Sequence, residues 1–191
     1  MNIQQIEKKY LSSFDELNTM VQGMRETMNL SEFLDNAEDI LIAAYKRGRE
    51  DVLAMLDYSF AYDLDISKLR TALNEVKGGM TYVNRIILGF ENYSLKEMQR
   101  LMSAEYHRMY NLGAYEVVEE IQRTDNVAIL KEWHTVGDEK VRDTHRYLEG
   151  YKVPIEEFFY TFDGDKALYP GGFEKPENNI GCRCILIYTE L

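Results

Sequence analysis

From Ser31 onward, apolar side chains recur at Phe33, Leu34, Ala37, Ile40, Leu41, Ala44, Tyr45, Val52, Leu53 and Leu56. That spacing is the period of a helix with one buried stripe. Gly48 falls inside the stripe and is expected to interrupt it. Ile66 to Val76 predicts a shorter helix stopped by Gly78-Gly79, and Thr81 to Phe90 predicts another. Ser94 followed by Glu97 forms a capping box. It opens a long helix carrying Met98, Leu101, Met102, Met109, Leu112, Val118 and Ile121. A Met and Leu stripe at this spacing reads as core packing. His107, beside Arg108, reads as a polar-face residue of the same helix. The first proline is Pro154, so no ring breaks these patterns earlier.

After Asn126 the pattern changes. Val127 to Thr135 suits a strand, being rich in β-preferring residues. Gly137-Asp138 leads into a predicted short helix from Glu139 to Leu148, with Gly150 just past its end. Tyr151 to Ile155, Phe158 to Phe162 and Cys182 to Thr189 read as strands. Asp163-Gly164-Asp165 is turn chemistry. The expected fold class is α+β: a mainly helical part over residues 1–123, then a small α+β domain over 124–191 with a short antiparallel sheet. No internal repeat or low-complexity tract is present.

The chain has 191 residues, ordinary hydrophobic content at 45%, and a formal net charge of −11. From Asn126 onward there are 8 Lys/Arg against 12 Asp/Glu, and before it 14 against 21. No basic half is concealed by the average, so coating of a phosphate backbone is disfavoured. The first residues, Met1 to Lys8, lack the apolar segment of a secretory signal. No apolar run approaches the roughly 20 residues that span a bilayer. A soluble protein made inside a cell is expected, with no membrane contact.

The only two cysteines are Cys182 and Cys184. Two cysteines are no disulfide framework. On a strand they share one face, roughly 7 Å apart at Cα, and Arg183 points the other way. A bridge between them is unfavourable, so reduced thiols are expected. Three readings stay open: a metal site, a redox pair, or two buried small hydrophobes. Zinc is the candidate metal, because two thiolates on one face can both reach an ion at about 2.3 Å. His145 is the best third ligand, since Val141, His145 and Leu148 share one face of the short helix. His134, Asp138 or a water could be the fourth. The competing reading of His145 is a hydrogen-bonded core histidine. Asp138, Arg142, Asp143 and His145 also allow a general-base site, as in a nuclease or hydrolase, although Asp138 and Arg142 are at the i, i+4 spacing of a surface ion pair. No Gly-rich phosphate loop or nucleophile motif accompanies them.

Trp133-His134-Thr135-Val136-Gly137-Asp138-Glu139-Lys140-Val141-Arg142-Asp143-Thr144-His145-Arg146-Tyr147-Leu148-Glu149-Gly150 resembles a segment of the phage Mu F-like minor head proteins, the SPP1-type head morphogenesis family. Tyr169-Pro170-Gly171 followed by Cys182-Arg183-Cys184 resembles the end of that family's domain. Thr81 to Ile86, and Glu105, Arg108 and Asn111 within Glu105 to Gly113, resemble two upstream elements. The resemblance covers about Met80 to Tyr188. Lys140 stands where the family has Arg, Gly181 where Asn precedes the first Cys, and Ala104 where Thr precedes Glu105. The resemblance implies a non-catalytic minor virion component. Such a protein docks on the portal or other head proteins inside the procapsid and assists head assembly or DNA delivery. It would reside in the head interior, after assembly in the host cytoplasm. Related regions are sometimes joined to toxin domains, so the resemblance also implies, as the alternative, a nuclease- or transferase-like effector using His145 with Asp138 and Arg142. Here the chain is expected to carry no toxin domain, because it stops shortly after Cys184. Trp133 is expected to be buried.

Overall fold

The computed structural model describes residues 3–59, 66–76 and 79–191. Five helices come first: α1 (Ile3–Thr27), α2 (Leu30–Leu56), α3 (Ile66–Asn74), α4 (Tyr82–Asn92) and α5 (Leu95–Asp125). A smaller set of elements follows: β1 (Ile129–His134), α6 (Asp143–Arg146), β2 (Lys152–Pro154), β3 (Phe159–Tyr160), β4 (Lys166–Ala167), α7 (Pro176–Asn179) and β5 (Ile185–Glu190). The class is α+β. β1 is the centre of an antiparallel sheet in the order β2-β1-β5, and β3 and β4 form a separate hairpin.

The helix starts follow the side chains that satisfy the first orphan N–H groups. Ser94 and Glu97 cap α5 reciprocally, and Thr81 caps α4. Asn29 and Glu32 form a second capping box at α2, one that the apolar pattern alone did not show. α3 ends at Asn74, earlier than the expected Val76. Gly79 beyond it has φ +84, and Gly78 lies outside the described residues.

Gly48 does not interrupt α2. A Cβ there would lie 1.9 Å from the Tyr110 carbonyl oxygen, and one on Gly113 would lie 2.1 Å from the Tyr45 carbonyl oxygen. The two glycines face each other's helices, so the α2 and α5 backbones touch. This crossing leaves less room for a Cβ than any other glycine site among the described residues. Around it, Tyr10, Phe33, Leu41, Tyr45, Ile86, Met98, Met102 and Met109 form the bundle core. The second half of α5 enters another cluster, where Val117, Val118 and Ile121 meet Trp133, Phe159, Phe173 and both cysteines.

Between Glu105 and Tyr115 every residue of α5 is buried. A helix covered on all sides has no polar face there. His107 is therefore fully buried, contrary to its expected place on a polar face. The cost of burying Glu105 is offset by two guanidinium groups, Arg85 and Arg108, each 2.8 Å from one of its oxygens.

Four of the expected elements in the C-terminal part are shorter. The helix foreseen from Glu139 to Leu148 is only Asp143–Arg146, because Asp138 caps the Lys140 N–H at 3.0 Å and closes a turn instead. The strands foreseen at 151–155 and 158–162 reduce to Lys152–Pro154 and Phe159–Tyr160. The last strand begins at Ile185, not Cys182. Ile185 pairs with His134, the final residue of β1, so residues 182–184 have no strand to pair with.

Lys131 occupies an inward position of β1, between Ile129 and Trp133. Its Nζ donates to the Leu168 carbonyl at 2.9 Å and lies over the rings of Tyr115 and Phe159. Burial pushes its pKa down to about 7, against the pull of Glu119 and Glu156.

Two predictions follow from this packing. Gly48→Ala should lower the unfolding free energy by about 2 kcal/mol or more, read from the urea midpoint. Gly23→Ala, at an exposed helical site with nothing within 4 Å, should instead raise stability by about 0.5–1 kcal/mol. Equal effects would contradict the close crossing. For Lys131, the native pKa lies below the unfolded value near 10.4. The unfolded chain then holds a proton that the native state has lost, so stability rises as pH goes from about 7 toward 10. The difference in unfolding free energy between the parent and Lys131→Met should change in the parent's favour across that window. A constant difference would refute the neutral native lysine.

Candidate metal site

The site is assembled by two loops and a single turn of helix. Gly150, at φ +74, reverses the chain after α6, and its N–H returns to the Trp133 carbonyl at 2.9 Å. This sets α6 against β1 and points His145 inward, 1% exposed, between Trp133 and Phe173. The Trp133 ring meets it edge-on at 5.4 Å, and Phe173 stacks on it at 5.3 Å. Trp133 is fully buried, as expected.

On the other side, Gly181 has φ +71 and the Cys182 N–H closes a turn on the Asn179 carbonyl at 3.0 Å. Cys182 and Cys184 both point inward although they lie before the strand, and Arg183 points out. The extended segment keeps the alternation that a strand would have given. Arg183 makes a two-pronged bond to Asp138, at 2.8 and 2.7 Å. That hydrogen bonding, helped by the Lys140 N–H, holds the Asp138 carboxyl below its usual range. Arg142 donates to the Ile180 carbonyl at 2.6 Å and Thr144 to the Asn178 side chain at 3.2 Å. Three ties thus pin the cysteine segment to the chain around α6.

His145 Nδ1 lies 3.4 Å from Cys182 Sγ and 3.5 Å from Cys184 Sγ. One ring N–H can serve one sulfur well, but not two at equal distance. Near-equal distances of this kind also suit a shared metal ion. With Zn–N near 2.05 Å and Zn–S near 2.3 Å, a tetrahedron has N···S edges of about 3.6 Å. Among the described residues, His145, Cys182 and Cys184 are the group whose ligand atoms converge closely enough to hold a metal ion. A void of about 10 Å³ adjoins them, bordered also by Val141, Arg142 and Arg183. That is close to the size of one water-sized sphere. A larger cleft of about 720 Å³, running between α1 and α5, reaches Cys182 from outside.

The thiols are unequal. Burial pushes Cys182 up, but contacts with Cys184, His107 and His145 outweigh it, so its pKa falls well below the ordinary value. Cys184, sharing a proton with that thiolate and itself buried, is pushed up. A metal ion would bind both sulfurs as thiolates and release their protons.

The other residues singled out in the sequence lie apart. His134 sits 3.4 Å from Glu7 through Nε2 and 3.4 Å from Glu149 through Nδ1, away from the sulfurs. Asp138 pairs with Arg183 and not with Arg142. Glu105, Arg108 and Asn111 are buried in α5: Arg108 also donates to the Ala72 carbonyl, and Asn111 to the His107 carbonyl. Two contributors were not foreseen. His107 acts on Cys182 from α5, and nothing in the local pattern marks it. Asp165, 4% exposed, accepts from the N–H groups of Lys166, Glu174 and Lys175 and from Asn178, shaping the loop that carries Phe173. The Asp-Gly-Asp turn was visible, but not this reach.

Residues 18–187 match the family described as Phage Mu protein F like protein. The chain is similar to Minor head protein GP7 of Bacillus phage SPP1, 29% identical over 96 residues, covering 50% of this chain and 30% of that protein. It is also similar to NAD(+)--arginine ADP-ribosyltransferase EFV of Enterococcus faecalis strain ATCC 700802 / V583, 30% identical over 119 residues, covering 54% of this chain and 24% of that protein. The matched region is thus less than a third of either relative. No solved structure matches. With its model spanning most of the helical part and the whole metal-site region, the chain belongs to the Phage Mu protein F like family.

Proposed function

We propose that this protein is a minor head protein that docks on the portal or another protein of the procapsid interior and assists head assembly or DNA delivery. The observation that carries the reading is the family match over residues 18–187, together with the similarity to a protein named as a minor head protein. The virion head is the corresponding location. The acidic balance of −11 favours protein partners over DNA. Among the described residues, no helix is long and apolar enough to cross a membrane. Residues 1–123 would supply the docking part, and 124–191 a rigid knob.

Within that knob, His145, Cys182 and Cys184 hold a structural zinc ion. Their mixed sulfur and nitrogen donor set suits zinc, and their burial suits a structural role. The residues of the nuclease- or transferase-like alternative are otherwise engaged. Asp138 is bonded to Arg183, Arg142 to the Ile180 carbonyl, and His145 faces two sulfurs in a void too small for a substrate.

Tagged protein should capture the portal protein of the same phage from co-expressing cells, in a stoichiometric complex on size exclusion. Separate elution at micromolar concentrations of both would remove the portal reading. Elemental mass spectrometry should find about one zinc per chain, with both thiols protected until chelation. No metal, with thiols that react only on unfolding, would leave the cysteines as packing. Cys182→Ser combined with Cys184→Ser should lower the urea midpoint, with a loss of about 2 kcal/mol or more. An unchanged midpoint would show that the pair does not hold the domain together.

A further inference from the structure

The cleft between α1 and α5 has walls of two kinds. Leu11, Phe14 and Asn18 line it from α1, and Lys96, Arg100 and Ser103 from α5. Both sets recur at three- to four-residue spacing, so each is one stripe of its helix. The Gln99 side chain donates to the Asn18 carbonyl at 2.9 Å and ties the two helices together there. Ile180 and Arg183 of the cysteine loop form the third wall, and the whole encloses about 720 Å³. From Lys96 to Ser103 the α5 wall runs about 10 Å, or two helical turns.

The apolar wall is open to water. Leu11 and Phe14 are only half-buried, and Ile180 is 55% exposed. Phe14 is held edge-on by Tyr10 at 5.1 Å and by Tyr106 at 5.8 Å, so its ring has a fixed place in the wall. Covering such side chains with a partner removes apolar surface from water and favours association.

The charge of the cleft is opposite to that of the molecule. The chain carries −11 overall, yet Lys96, Arg100 and Arg183 border the cleft against a single carboxylate, Asp15. Arg183 is bonded to Asp138. Lys96 and Arg100 are exposed and, among the described residues, form no ion pair. In a chain with 33 Asp and Glu side chains, two such cations beside an apolar wall are the complement of an acidic, apolar segment.

We propose that the α1–α5 cleft is the docking surface for an acidic amphipathic helix of the head protein this chain binds. The helix would lay apolar side chains on Leu11, Phe14 and Ile180 and set carboxylates against Lys96 and Arg100. A helix in a groove is read through anchors at i, i+3, i+4 and i+7, and about two turns of it match the α5 wall. The inference rests on the portal docking proposed above. It adds where docking occurs and what chemistry the partner segment carries. The surface spans both parts of the chain, since α1 and α5 supply two walls and the cysteine loop the third.

The test measures binding of the full-length protein to the portal protein of the same phage, at low and at high salt. The variants are Lys96→Glu combined with Arg100→Glu, Ile180→Ser and Tyr147→Ser. Tyr147 lies on a separate exposed patch, where its ring meets Phe162 at 6.2 Å. All four positions are exposed, so the urea midpoint of each variant should stay parental. The parent should bind, and more weakly at high salt. The double charge reversal should weaken binding at low salt on the order of 10–100-fold and remove most of the salt dependence. Ile180→Ser should weaken it about tenfold at either salt. Tyr147→Ser should bind as the parent does. Parental binding by both cleft variants, or a loss confined to Tyr147→Ser, would overturn the cleft while leaving portal docking intact. A parent that self-associates on size exclusion, with the charge reversal monomeric, would assign the cleft to a second copy and overturn the acidic partner. A parent that does not bind the portal at either salt would overturn both.

Discussion

The contact between the backbones of α2 and α5 at Gly48 and Gly113 governs the arrangement of the helical part. Helix axes usually stand 8–10 Å apart because side chains keep them there. Here each glycine removes a side chain where the partner's carbonyl passes. The close approach lets α1, α4 and the C-terminal loops cover α5 on its remaining sides. Complete burial of α5 from Glu105 to Tyr115 follows, and with it the need for internal partners for Glu105, Arg108 and His107. Because α5 is long, its second half also floors the C-terminal core, where β1 and the cysteine loop pack.

The division between what the sequence reveals and what it hides runs along a physical line. Local devices were legible. The Ser94 and Glu97 box, the Thr81 start and the stop at Gly150 depend on neighbours within a few residues. Features set by distant neighbours were not. Gly48 reads as a helix weakness in isolation and is a packing requirement only once Tyr110 stands opposite. His107 follows the spacing of a polar face, and only the covering of α5 by α1 and the 171–173 loop puts it inside. Ile185, not Cys182, begins the last strand because β1 runs out at His134. Of the site, the inward His145 and the shared face of the two cysteines were readable from alternation and helical spacing. The partner of Asp138 was not, since Arg183 is 45 residues away.

The candidate metal site is a closed cluster. Its sulfurs are buried, its imidazole is wedged between aromatic rings, and its charged neighbours are spent on one another. Arg183 and Asp138 sit outside like a clasp over the loop that carries the cysteines. In such surroundings an ion would have little to activate and much to hold.

The position of this cluster also bears on the order in which the molecule comes together. Trp133 pairs with Leu186 across the sheet, and the His145 ring faces Cys182, 37 residues further along the chain. Contacts between residues so far apart in the chain close late, after local helices and the β1–β2 pairing have formed. An ion bound there would find its ligands only in a nearly finished fold. It could not template the early steps, and its effect would fall on the rate of coming apart. The cysteine loop then works as a latch closed last. It would make the native form long-lived without making it quicker to reach.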